Sequence, residues 1–87
     1  MSTNEAKIKM AYDLLNNLVK DTGIPRNVRE VCKEVANVLM SKDIQSYGVK
    51  AATSISKIEE IIQDPTIPSY ARTTLWRIIS ILEQIRD

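Results

Sequence analysis

Asp21 and Arg29 stand eight residues apart, and Asp64 and Arg72 repeat that spacing 43 residues further along the chain. Each pair bounds one copy of a pattern. Asp21-Thr22-Gly23-Ile24-Pro25-Arg26-Asn27-Val28-Arg29 returns as Asp64-Pro65-Thr66-Ile67-Pro68-Ser69-Tyr70-Ala71-Arg72, both fitting D-x-x-I-P-x-x-x-R. A carboxylate and a guanidinium at fixed spacing can clamp a turn, or they can form a polar binding site, here one of two related by pseudo-symmetry. The proline marks a helix start. A cation in the first turns of a helix is disfavoured by the helix dipole, whereas an anion just ahead of it is favoured. Arg29 and Arg72 therefore need partners of their own, and Asp21 and Asp64 across the loop are the nearest. The expectation is two structural turn clamps, Asp21 with Arg29 and Asp64 with Arg72, whose carboxylates also accept loop N–H groups.

Trp76 is the sole tryptophan. At 100° per residue it lies about 140° from the centre of its helix's apolar stripe, with Ile79 at about 80° and Arg72 at about 100°. An apolar shoulder of this kind makes Arg72, Trp76 and Ile79 a candidate interface for a protein partner or a second copy of the chain, since tryptophan is enriched among interface hot spots. The alternative is an indole folded over the bundle edge. Its counterpart 43 residues earlier is Lys33, which belongs in water. Arg26, Arg29 and Lys33 form a basic row, ordinarily a solvated face. With Trp76 they would make a small surface for the phosphates and bases of single-stranded nucleic acid. Glu30, Glu34 and a net charge of +1 weigh against that reading.

Catalytic chemistry finds no foothold. The chain has no histidine and one cysteine, Cys32, on an apolar stripe with nothing to activate it. Glu59 and Glu60 are adjacent, so they diverge around a helix and cannot share a proton. No glycine-rich phosphate loop occurs. The expectation is a non-enzyme with no cofactor and no metal.

Net charge is +1 over residues 1–43 and 0 over residues 44–87, so no global field steers the chain to nucleic acid or an anionic membrane. Glu5, Lys7, Lys9 and Asp13 interrupt any signal-peptide core, and no apolar run reaches the ~20 residues that span a bilayer. A lone cysteine leaves a reducing cytoplasm as the default location.

Four helical stretches must position these residues. Ser2-x-x-Glu5 reads as a capping box opening a helix to about residue 20, with Ile8, Ala11, Tyr12, Leu15, Leu18 and Val19 inward. Gly23 is placed to close it in a left-handed conformation. Pro25 fits the first position of a second helix reaching about residue 40, with Val28, Val31, Cys32, Val35, Val38 and Leu39 inward. Asp43 is the expected N-cap of a third helix reaching about residue 63. It presents Tyr47, Ala51, Ile55, Ile58, Ile61 and Ile62 inward, and Gly48 allows a close approach. Pro68 starts the fourth, with the stripe Ala71, Leu75, Ile78, Leu82, Ile85. Apolar positions recur at the same 43-residue offset as the loops, among them Ile8 with Ala51 and Cys32 with Leu75. The expected architecture is all-α: an antiparallel up-and-down four-helix bundle built from two duplicated hairpins, residues 1–43 and 44–87, in a single domain.

Asp21-Thr22-Gly23-Ile24-Pro25-Arg26-Asn27-Val28-Arg29, Val49-Lys50-Ala51-Ala52-Thr53-Ser54-Ile55, Asp64-Pro65-Thr66-Ile67-Pro68, Ala71-Arg72-Thr73 and Trp76 together resemble a small family of uncharacterised archaeal proteins. The resemblance spans nearly the whole chain, with Lys50 standing where the family pattern leads one to expect arginine. It implies an archaeal cytosolic protein with a compact four-helix bundle fold, and it implies no activity. The expected function is a non-catalytic helical interaction or self-association module, with weak nucleic-acid binding as the alternative and no membrane partner.

Overall fold

A computed structural model describes residues 3–87 and contains four helices: α1 Asn4–Lys20, α2 Arg26–Leu39, α3 Tyr47–Ile61 and α4 Ser69–Glu83. There is no strand among the described residues. Each helix packs against two others, α1 on α2 and α4, and α3 on α2 and α4, which closes a ring of four. Short connections force neighbours to run antiparallel. The turns at residues 21–25 and 62–68 therefore share one end of the bundle, and the connection at residues 40–46 shares the other with the chain ends. Hydrogen bonds join each set: Tyr70 to Asp21 at the first end, and Asn4 to the Arg86 carbonyl at the second. The molecule measures 34 × 25 × 20 Å.

The helices follow their apolar spacing. Ile8, Ala11, Leu15 and Leu18 of α1 face Val28, Cys32, Val35, Ala36 and Leu39 of α2 in the core. Ala51 and Ile58 of α3 and Ala71, Leu75, Ile78 and Leu82 of α4 complete it. Full burial of one such Val, Leu or Ile side chain is worth about 1.5–3 kcal/mol relative to exposure. Tyr12, Val19, Val31, Val38, Ile55 and Ile61 sit half-buried at its margin.

The helix ends depart from expectation in several places. Ser2 lies outside the described residues, and Thr3 occupies the N-cap, its hydroxyl accepting from the Ala6 N–H at 3.0 Å. Pro25 and Pro68 are N-caps rather than first helical residues; their carbonyls accept from the Arg29 and Arg72 N–H groups at 3.0 and 3.1 Å. Asp43 caps nothing. The chain stays irregular to Ser46, whose hydroxyl accepts from the Val49 N–H at 3.1 Å and starts α3 there, and Tyr47 at this helix tip is 36% exposed rather than part of the core.

Neither glycine takes a left-handed conformation. The α1 end closes instead through the Asp21 N–H to the Leu18 carbonyl at 3.2 Å. Gly48 does serve a close approach, but of a side chain rather than a helix. Its N–H donates to the Asp87 carboxylate at 2.9 Å, and a Cβ there would lie 2.8 Å from that carboxylate. The Ser46 hydroxyl donates to the same carboxylate and is the main cause of its lowered pKa, followed by the Gly48 and Tyr47 N–H groups.

Candidate functional site

The two same-end turns share a local construction. Asp21 Oδ1 accepts from the Gly23 N–H at 2.8 Å, and Asp64 Oδ1 accepts from the Thr66 N–H at 2.9 Å, the two-residue reach of an aspartate turn. Behind each, the isoleucine N–H donates back to the aspartate carbonyl, Ile24 to Asp21 and Ile67 to Asp64, both at 3.2 Å. This folds the isoleucine inward. Ile24 and Ile67 are 2% and 4% exposed and plug the open end of the core. Neither lies on a helical stripe, so periodicity missed both; the repeated Ile-Pro was the signal that could have found them.

The expected aspartate–arginine pairs do not form. The ion pairs among the described residues are Lys9–Asp13, Arg26–Glu30 and Lys57–Glu34. Arg29 is half-buried, and its Nε donates to the Ile24 carbonyl at 3.0 Å. Arg72 Nε donates to the Ile62 carbonyl at 3.0 Å and its Nη2 to the Asp64 carbonyl at 2.6 Å. These carbonyls lie where the chain leaves a helix or turns, and they lack intrahelical donors, so a guanidinium is a suitable cap. The clamp is therefore guanidinium to backbone, not guanidinium to carboxylate.

The second oxygen of each aspartate reaches across to the other turn. Tyr70 donates its hydroxyl to Asp21 Oδ2 at 2.7 Å, and Asn27 donates its amide to Asp64 Oδ2 at 3.3 Å. Positions 27 and 70 are themselves 43 apart, as are 21 and 64, so the two ties are reciprocal. Both carboxyls are held below the usual range. For Asp21 the Tyr70 hydroxyl is the main cause, then the Gly23 N–H, with Arg29 acting only at longer range. For Asp64 the Thr66 hydroxyl leads, then the Thr66 N–H and Asn27. The Tyr70 phenol is raised by the same carboxylate.

The other candidate residues lie apart from this end-plate or are consumed by it. Ile79 is 3% exposed and belongs to the core, so it cannot serve an exposed interface as it stands. Arg72 is engaged by backbone. Trp76 alone of that trio is offered to solvent, at 51% exposure. The basic row is also broken up: Arg29 is committed, Arg26 pairs with Glu30 at 3.3 Å, and Lys33 remains exposed. Cys32 is fully buried, and burial pushes its thiol up to about 11. No three Cys, Asp or Glu side chains gather as they would around a metal ion among the described residues, and no helix is long and apolar enough to cross a membrane.

The helix ring, the plugged end and the reciprocal ties define a small all-α four-helix bundle protein. The chain belongs to the UPF0147 family, described as an uncharacterised protein family, whose model matches residues 1–85. It is 45% identical to a UPF0147 protein of Aeropyrum pernix, over 97% of this chain and 91% of that relative. It is 44% identical to a UPF0147 protein of Metallosphaera sedula, over 97% of this chain and 93% of that one. Among solved structures it is similar to the crystal structure of the unknown-function protein MMP1188, with a TM-score of 0.89 and 35% identity over 94% of this chain and 92% of that one.

Proposed function

We propose that the protein is a non-catalytic helical interaction module that self-associates, or docks a protein partner, through the α4 surface around Trp76. The observation that carries this reading is the half-exposed indole itself. α4 buries Ile78, Ile79 and Leu82 in the core yet leaves its largest apolar side chain at 51% exposure. An indole kept in water is a standing hydrophobic cost that an interface removes. Trp76 follows Arg72 by one helical turn, on the side of α4 where Arg72 reaches the end of α3. Lys33 holds the corresponding place on α2, so the first half of the chain lacks this surface. The cysteine, a buried thiol, suits a reducing cytoplasm, and the recurrence at 43 residues is read as a duplicated hairpin in which only one copy acquired an apolar outer face.

Light scattering on the wild type and Trp76→Ala tests the self-association form. The reading expects a wild-type dimer or higher species that Trp76→Ala dissociates, with tryptophan emission shifting to the red on dilution. A monomer in both proteins removes self-association. A crosslinked pull-down from the native cytosol then decides the hetero-partner form, with nuclease-treated and untreated arms. Capture of a protein lost in Trp76→Ala supports it, while capture abolished by nuclease would contradict it.

A further inference from the structure

At the bundle end opposite the tied turns, the start of α1, the end of α2 and the connection at residues 40–46 enclose an open groove of about 790 Å³. Its apolar surface comes from Leu39, Met40, Ile44 and Tyr47, of which Met40 is 51% exposed and Tyr47 36%. Its rim is basic: Lys9, Lys42 and Lys50 stand against a single carboxylate, Glu5. Among the lining residues that is a charge of +2, which the Asp13 carboxylate paired with Lys9 reduces to +1. Lys9 is paired with Asp13 at 2.7 Å, which leaves Lys42 and Lys50 as the cations offered to a ligand.

We infer that this groove binds an acidic peptide segment of a partner protein, one in which carboxylates alternate with aliphatic side chains. The aliphatic side chains sit on Met40 and Ile44, and the carboxylates meet Lys42 and Lys50. Single-stranded nucleic acid fits less well. Its bases need open aromatic faces, whereas Tyr47 is the one aromatic residue of the lining. The rest of the apolar lining is aliphatic. The inference shares the class of interaction module with the reading above but uses none of its residues, so the two can fail separately.

The test is an amide NMR titration of the full ¹⁵N-labelled chain with a short peptide of alternating glutamate and leucine. The expected result is shifts confined to the start of α1 and residues 39–50, retained in Trp76→Ala. Reversing the rim with Lys42→Glu and Lys50→Glu should weaken binding about tenfold or more, as expected for two contacts of opposite charge turned into like-charge contacts. Circular dichroism checks that the reversed protein is folded; Lys42→Gln with Lys50→Gln is the milder pair, expected to weaken binding less. No shift in the groove with this peptide overturns the inference. So does an equal response to a lysine–leucine peptide, or binding indifferent to the rim changes. Shifts produced instead by oligouridylate would assign the groove to nucleic acid and overturn it as well.

Discussion

The turns at residues 21–25 and 62–68 use the same aspartate, isoleucine, proline and downstream arginine, yet each meets its neighbour differently. Over the first turn stands Tyr70, whose hydroxyl lies 3.0 Å from where a Gly23 Cβ would be. Over the second stands the shorter Asn27, and there the position of Gly23 is held by Thr66, whose hydroxyl donates to Asp64 at 2.6 Å. A large visitor goes with an empty turn position, and a small visitor goes with a filled one. The arginines differ too: Arg29 caps one carbonyl of its own turn, while Arg72 reaches back ten residues and caps two. One pattern thus encodes an aspartate turn, a core plug and a helix start, while the residues between its fixed positions decide how the two turns fit together.

The largest effects should be the ones the two turns share. Ile24→Ala and Ile67→Ala each remove a buried plug, and each should cost about 2–5 kcal/mol in denaturant unfolding. A large loss at one and none at the other would show that the two turns are not equivalently packed. The arginines should separate. Charge-assisted hydrogen bonds contribute about 1.5–3 kcal/mol each, so Arg72→Ala should destabilise more than Arg29→Ala; equal losses would contradict the extra carbonyl seen at Arg72. A smaller effect is expected at Ser54, which is fully buried with no partner for its hydroxyl among the described residues. Its counterpart 43 residues earlier is Ala11. Ser54→Ala should therefore be neutral or stabilising by up to about 1 kcal/mol, since an unpaired buried hydroxyl is a net cost. The smallest is at Gly23. Its φ is not positive, so alanine should gain up to about 0.4–1 kcal/mol through the unfolded chain once Tyr70→Asn has removed the closer of its two tight contacts, the other being Asp21 Oδ1 at 3.1 Å. With Tyr70 in place the gain should shrink or reverse.

Much of the fold was legible because helical burial repeats with a period the residues display: the stripe Ala71, Leu75, Ile78, Leu82, Ile85 is buried throughout. What escaped depends on contacts between distant parts of the chain. Asn27 and Tyr70 carry no signal of their own, since only the antiparallel closure brings each beside the other turn. Asp43 offered a cap by type, but the irregular connection lasts until Ser46, which took the role. The helix dipole leaves Arg29 and Arg72 in need of partners, and these are backbone carbonyls of the turns rather than the aspartate carboxylates. Ile79 shows the limit of angular reckoning, because a shoulder about 80° from a stripe centre is covered wherever a neighbouring helix packs to that side.

The reciprocal ties also set a pH dependence. Asp21 and Asp64 have depressed folded-state pKa values. Their contribution is therefore present above the ordinary carboxylate value of about 4 and lost as pH falls through the lower folded values. The Tyr70 phenol is raised, so its share is present below the ordinary tyrosine value of about 10 and lost as pH rises beyond it. The most direct measurement of the cross-turn tie is an NMR titration of the two aspartate carboxyl carbons in the wild type and in Tyr70→Phe. The account predicts that both titrate below the usual range in the wild type, and that Tyr70→Phe moves Asp21 back up while leaving Asp64 where it was. An Asp21 that titrates identically with and without the Tyr70 hydroxyl would contradict it.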